Sequence, residues 1–200
     1  MELPKPKTNG DVSVEEAIAR RRSVRAFSAK KLDAAQLSQL AWAAQGITDQ
    51  QSGHRAAPSA GALYPLEIYF LTPDGTFRYV PDGHALEPVN SRDLRESLSK
   101  AALHQEFVKT APLDIVIAAI YGRVTGKYGR RGLRYVEIEA GHAAENVMLQ
   151  AVAMGLDTVA VGAFDDGAVK SALGLPHDEE PLYIIPVGCP SRKAGASARA

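Results

Sequence analysis

The stretch Arg134–Gly162, RYVEIEAGHAAENVMLQAVAMGLDTVAVG, decides the fold. Val136, Ala140, Ala143, Ala144, Val147, Ala151 and Met154 recur at helical spacing, so they form one buried stripe on a long helix. Gly141, Ala143 and Ala144 are small enough to let another helix come close. Gly155 ends the helix, and LDTVAVG, Leu156–Gly162, then reads as a strand. Helix DDGAVKSALG and a final strand, PLYIIPVG, follow. Upstream, LDIVIAAI (Leu113–Ile120) reads as a buried strand, and SRDLRESLSKAA as a short helix. PLEIYFLT supplies a strand over Leu66–Thr72, with TFRYV its partner across the turn at Pro73–Gly75. The early strands form a meander and the late ones a crossover. That mixture specifies an α+β fold with a central sheet, not a regular doubly wound one.

Two more helices precede the sheet. In LDAAQLSQLAWAAQG, Asp33 caps, Leu37, Leu40, Ala41 and Ala44 line one face, and Gly46 terminates. In SVEEAIARRR, Ser13 and Glu16 have capping-box spacing, and Val14, Ala17 and Ile18 form the expected buried stripe. Between helix and strand, Ile47–Leu63 is a loop rich in Gly, Ser, Gln, Pro and Ala, of a kind that often carries function.

Two hundred residues suit one domain. We assign it to residues 13–190, with 1–12 as an N-terminal extension and 191–200 as a tail. The 23 basic and 23 acidic residues cancel, which argues against a nucleic-acid or membrane-surface binder. No apolar run reaches the length of a membrane span. Cys189 is alone, so no intrachain disulfide can form and a cytoplasmic setting is the expectation. The first ten residues lack a signal pattern; an exported origin with a trimmed signal segment stays open.

Several chemistries are excluded. YGRVTGKY resembles a phosphate-binding loop, but the glycine spacing is one residue short and Lys127 precedes Tyr128, not Ser or Thr. No Gly-rich dinucleotide fingerprint follows a strand. The histidines lack metal-ligand spacing, so no metal is expected. There is no nucleophile elbow.

What remains is AIARRRSVRAFSAKK, Ala17–Lys31. The helix dipole accounts for arginines in a last helical turn, but not for Ser23 and Arg25 beyond it. Arg21 and Arg25, flanking Ser23, are suited to converge on a compact dianion. A solvated basic helix end, paired with carboxylates, is the alternative.

RRRSVRAF resembles the opening phosphate-binding motif of the FMN-dependent nitroreductase family. The similarity continues through APSAGALYPLEIYF, TAPLDIVIAA, EAGHAAENVMLQAVAMGLDTVAVGAFDD and PLYIIPVGCP, covering roughly residues 12–190. PSAGALYPLE and GHAAENVMLQA resemble the SagB-type dehydrogenase branch, which includes azoline oxidases of modified peptides. The resemblance implies a nitroreductase-like fold: a mainly antiparallel central sheet flanked by helices, with a long dimer-interface helix. It implies a homodimer with FMN at the subunit interface and a small-molecule substrate. Arg21, Arg22, Ser23 and Arg25 match the positions that grip the FMN phosphate and ribityl chain, and Arg192 matches a further phosphate-side cation. Pro58, Ser59, Ala60, Gly61 and Leu63 match the segment a partner lays against the isoalloxazine. Ala160, Val161, Gly162 and Ala163 match the loop facing the flavin N5 and O4 edge, where many members have Pro-Ile-Glu-Gly. Lys127 and Tyr128 resemble the catalytic base pair of azoline-oxidising relatives; the alternative is a basic, solvent-facing turn with Tyr128 packed beneath it. The implied activity is ping-pong hydride transfer through flavin N5, with NADH or NADPH as possible donor. A SagB-type oxidation of an azoline or other peptide-derived substrate is the alternative, and flavin binding without turnover a third.

Overall fold

A computed structural model of the chain describes residues 1–191. The helices are α1 (Val14–Arg20), α2 (Ala34–Gln45), α3 (Arg95–Ala101), α4 (Glu106–Thr110), α5 (Gly122–Tyr128), α6 (Arg131–Ala153) and α7 (Asp166–Leu173). Strands β1 (Ile47–Asp49) and β2 (His54–Arg55) form a small ribbon. The main sheet contains β3 (Leu66–Thr72), β4 (Gly75–Val80), β5 (Ala85–Asn90), β6 (Leu113–Ile120), β7 (Asp157–Thr158) and β8 (Glu179–Gly188). Its order is β5-β4-β3-β6-β8-β7, and every neighbouring pair is antiparallel.

The apolar run of β6, interrupted only by Asp114, follows from burial on both faces. Ile115, Ile117 and Ala119 join Leu40, Ala44, Val136, Ala143 and Val147 in one core under α2 and α6. Val116 and Ala118 point the other way, into a second core with Leu98, Val108, Val169 and Leu173 of α3, α4 and α7. α2 is capped as its sequence predicts: Asp33 accepts from the Gln36 amide while the Gln36 side chain accepts from the Asp33 amide.

Three expectations are corrected. Leu156–Gly162 is not one strand: β7 covers Asp157–Thr158, and Val161 pairs alone with Ile184. The residue opposing the gap is Pro186, which has no N–H to continue the ladder; only a long 3.4 Å bond from Val159 N–H to its carbonyl spans it. The late crossover is present: β6 and β7 are both antiparallel to β8 and so parallel to each other, and α5 and α6 carry the chain between them. On α1, Ala17 is buried, but Val14 and Ile18 are 66% and 58% exposed. The capping box there is half formed: Ser13 accepts from Glu16 N–H, whereas the Glu16 carboxylate pairs with Arg20 at 2.7 Å.

The first residues are stitched to the sheet edge. The Met1 ammonium donates to Leu86 O, the Leu86 amide to Met1 O, and the Leu3 amide to His84 O. This covers the outer rim of β5, an edge otherwise open to pairing.

Asp114, on β6, is fully buried and neither carboxylate oxygen has a hydrogen-bond partner among the described residues. Burial pushes its carboxyl well above the usual range, against the attraction of Arg95. The folded state therefore holds this proton more tightly than the unfolded chain. Its contribution to stability is present at low pH and is lost as pH rises above the unfolded value. Asp114→Asn removes that loss. We expect the variant to gain about 1–3 kcal/mol over the parent at about pH 8, and little at about pH 3, below the unfolded value. Thermal unfolding at the two pH values reads this out; equal melting-temperature changes at both would contradict it.

Candidate active site

Two clusters form. The first is built where the arginine segment crosses the sheet end. Ser23 pairs in parallel with Thr158, and Val24 N–H donates to Thr158 O at 2.9 Å. Phe27 pairs with Pro190, and Ser28 N–H donates to Cys189 O. Within this frame the cations differ. Arg22 folds back on the C-terminus of α1, donating to Ala19 O and Arg21 O at 2.9 and 2.7 Å. Arg21 has only a loose 3.7 Å contact with the exposed Glu145. Arg25 lies over the Phe107 ring at 5.7 Å and makes no ion pair among the described residues. Arg21 and Arg25 thus keep their donors available for a ligand.

Ala160–Ala163 leaves the sheet beside this segment. Val161 exchanges both backbone bonds with Ile184, which turns the neighbouring amides away from the ladder. The amides of Ala160, Gly162 and Ala163 have no acceptor among the described residues. Gln105, at the N-cap of α4, anchors the loop by donating to Ala163 O at 3.0 Å. The result is a short row of N–H groups left free of the sheet's hydrogen bonds.

The second cluster is formed by Pro58–Leu63 and α5. Ser59 Oγ accepts from the Tyr64 amide at 2.9 Å, closing a 3₁₀ turn over Ala60–Ala62. Gly61 has φ +66°, and Ala62 and Tyr64 also have positive φ. A Cβ at Gly61 would lie 2.8 Å from the Tyr128 hydroxyl and 3.0 Å from the Lys127 amine. The expected basic turn is therefore helix α5, and it sets both groups over the Gly61 backbone. Tyr128 is held edge-on by Tyr135, with ring centroids 5.3 Å apart. Arg123, one helical turn before Lys127, is engaged with Glu67 at 2.6 Å and with Tyr64 O. Gly61→Ala should cost about 1–2 kcal/mol from the left-handed backbone alone, or roughly 2–8 °C in melting temperature. A variant as stable as the parent would show that the turn is not held as described.

No hydrogen bond or ion pair among the described residues joins the clusters directly. Each attaches to α6 separately: Arg21 approaches Glu145, and Asn146 donates to Ala56 O. Arg192 lies outside the described residues. Sequence patterning alone does not single out Glu139. It is 2% exposed on α6; Gln45 donates to one oxygen at 3.4 Å and the other has no partner. Burial pushes its carboxyl up to about 7, opposed by the nearby Ser59 and Gln45 side chains and by Arg55. In the sequence it interrupts the apolar stripe between Val136 and Ala143. No group of metal-ligating side chains and no helix long and apolar enough to cross a membrane occurs among the described residues.

The Nitroreductase family model matches residues 18–189. MJ1384 of Methanocaldococcus jannaschii, which carries a nitroreductase name, is 41% identical over 194 residues, covering 94% of this chain and 96% of that protein. A crystal structure from Ralstonia eutropha, also under a nitroreductase name, superposes with a TM-score of 0.87 at 33% identity. The match covers 95% of this chain and 89% of that one. The microcin B17-processing protein McbC of Escherichia coli is 29% identical over 140 residues, 64% of this chain and 51% of McbC. The solved McbBCD complex with truncated pro-MccB17 bound contains a chain that superposes with a TM-score of 0.76 at 25% identity. That match covers 96% of this chain and 77% of the other. The α+β architecture, the antiparallel sheet and the long α6 are those of a nitroreductase-like fold, and this chain belongs to the nitroreductase family of oxidoreductases.

Proposed function

We propose that the chain is an FMN-dependent oxidoreductase whose donor and acceptor take turns over one flavin face, with NADH or NADPH as donor. The observation that carries this reading is the Ser23–Thr158 pairing. It brings the available cations Arg21 and Arg25 beside the free amides of Ala160, Gly162 and Ala163. Arg21, Arg25 and the Ser23 hydroxyl would hold the phosphate and ribityl chain, with Arg22 contributing charge. The three amides would donate to the electron-rich edge of the ring and favour its negative charge. When bound, FMN supplies the hydride carrier that the side chains themselves do not provide.

The separation of the clusters favours a site completed by a second copy. Pro58–Leu63 of one chain would then close over the flavin held by the other. The exposed apolar side chains Val14 and Ile18 of α1, and Leu133 and Ile138 of α6, provide the surface for such a homodimer. α1 packs on α6. Charges there oppose burial. Ile18→Asp combined with Ile138→Asp should yield monomers by light scattering and release flavin; a double variant that stays dimeric would contradict this interface.

The direct test is an absorbance spectrum of purified protein, followed by anaerobic titration with NADH and NADPH. Bleaching of the flavin band by either nucleotide is expected. Colourless protein that takes up no added FMN sinks the reading, and a band that no nicotinamide or candidate substrate bleaches would leave flavin binding without turnover. A second reading, oxidation of an azoline or related peptide-derived heterocycle, is favoured by Lys127 and Tyr128 over Gly61 and by the similarity to McbC.

A further inference from the structure

A separate cavity of ≈ 330 Å³ lies between α2, β2, the β3–β4 hairpin and α5. Its polar lining is Gln45, Arg55, Tyr64, Glu67, Tyr79 and Arg123. Most of its charges are matched. Glu67 takes Arg123 at 2.6 Å and Arg78 at 3.7 Å, and Arg78 also takes Glu87 at 2.9 Å. Arg55 has no carboxylate within 4.0 Å among the described residues. Its guanidinium stacks on the Tyr64 ring at 4.4 Å and makes one long side-chain hydrogen bond, 3.3 Å to Gln45 Oε1. A guanidinium offers five N–H donors in a planar fork, and a partly buried cation left without an anion is destabilising. Stacking on Tyr64 fixes the plane of the fork while leaving most of its donors free.

We infer that this cavity is a subsite for the carboxylate of a small organic ligand, with Arg55 as its two-pronged anchor and Tyr64 and Tyr79 as its walls. The volume suits a compact aromatic or aliphatic acid. The cavity shares Leu63 and Tyr64 with the Gly61 loop, and Arg123 lies one helical turn from Lys127 on α5. As a place that orients a substrate it rests on the function proposed above; as a carboxylate site it does not.

The surroundings of Arg55 add a pH dependence. Gln45 bridges it to Glu139, accepting from Arg55 and donating to the carboxylate. Ser59, Gln45 and Arg55 are the groups that act on Glu139. When Glu139 gains its proton, near neutrality, the charge on Arg55 is no longer offset through Gln45. Carboxylate binding should therefore tighten from about pH 8 to about pH 6, over which benzoate stays ionised.

The test is titration calorimetry of the full-length chain with benzoate and with benzamide, its uncharged counterpart. Benzoate should bind saturably and at least about tenfold more tightly than benzamide. Arg55→Gln should abolish that preference, and Arg55→Lys should retain part of it, because the charge survives and the fork does not. No saturable benzoate binding, equal binding of the two probes, or a preference that persists in Arg55→Gln overturns the inference. If Arg55→Gln does not fold, the parent comparison and Arg55→Lys decide it. Flavin content is measured on the same samples. A benzoate preference in protein that takes up no FMN would uphold the subsite and sink the flavin reading, so the two fail separately.

Discussion

Arg21→Gln combined with Arg25→Gln is expected to weaken FMN binding by roughly 10²–10⁴-fold while leaving the fold intact. Charge-assisted hydrogen bonds to a phosphate contribute about 1.5–3 kcal/mol each, and two are removed. The fold is spared because neither side chain has a structural bond to lose. The contact of Arg21 with Glu145 is long, at 3.7 Å, and half exposed, so it contributes little. Arg25 covers Phe107 but is itself at the surface. Arg22 provides the contrast. Its two bonds to carbonyls at the end of α1 are structural, so Arg22→Gln should lower stability by some tenths of a kcal/mol as well as weakening the cofactor. Arg20 pairs with Glu16 on the exposed face of α1, and Arg20→Gln is the control that should bind normally. Titration of flavin-stripped protein, followed by quenching of FMN fluorescence, measures each. Undiminished affinity in the folded double variant would show that the phosphate is held elsewhere.

The legible parts of the fold are those where local pattern and burial agree. Asp33 and Gln36 start α2 because each satisfies the other's backbone amide, a bond visible in sequence spacing. β6 was legible because both faces are buried, leaving no polar interruption except Asp114. Edges and breaks were harder. β5 contains Pro88 and three exposed residues, which a local pattern reads as a loop although an edge strand tolerates both. α5 begins at Gly122 and has one fully buried residue, Val124, so no stripe announces it. Val14 and Ile18 show the opposite limit: periodicity shows which side chains share a face, not whether the same chain covers that face. In the site, the arginine motif and the Gly61 loop carry recognisable local residue patterns. The approach of Lys127 and Tyr128 to Gly61, and the relay from Arg55 through Gln45 to Glu139, are tertiary contacts between distant segments. No local pattern encodes them.

The approach of Lys127 and Tyr128 to Gly61 bears the second large effect. If the chain oxidises an azoline-like substrate, a proton must leave carbon as hydride departs, and a positioned base is required. Lys127→Ala should then slow that oxidation by about 10²–10⁴-fold, and Tyr128→Phe should slow it too, because the hydroxyl reaches the same point above Gly61. Reduction of a quinone needs no proton abstraction from carbon and should change by less than about threefold in either variant. The contrast separates chemistry from scaffolding. Lys127 is exposed and makes no ion pair among the described residues, so its truncation should leave the helix in place. Its ammonium lies 5.4 Å from the Tyr128 ring centroid, a contact contributing about 0.5–1 kcal/mol at an exposed site, too small to account for a hundredfold loss. Parallel loss of both reactions would mean that the pair only holds Gly61 in its left-handed turn. Retention of both would assign Lys127 to the surface and leave reduction of an acceptor as the function of the site.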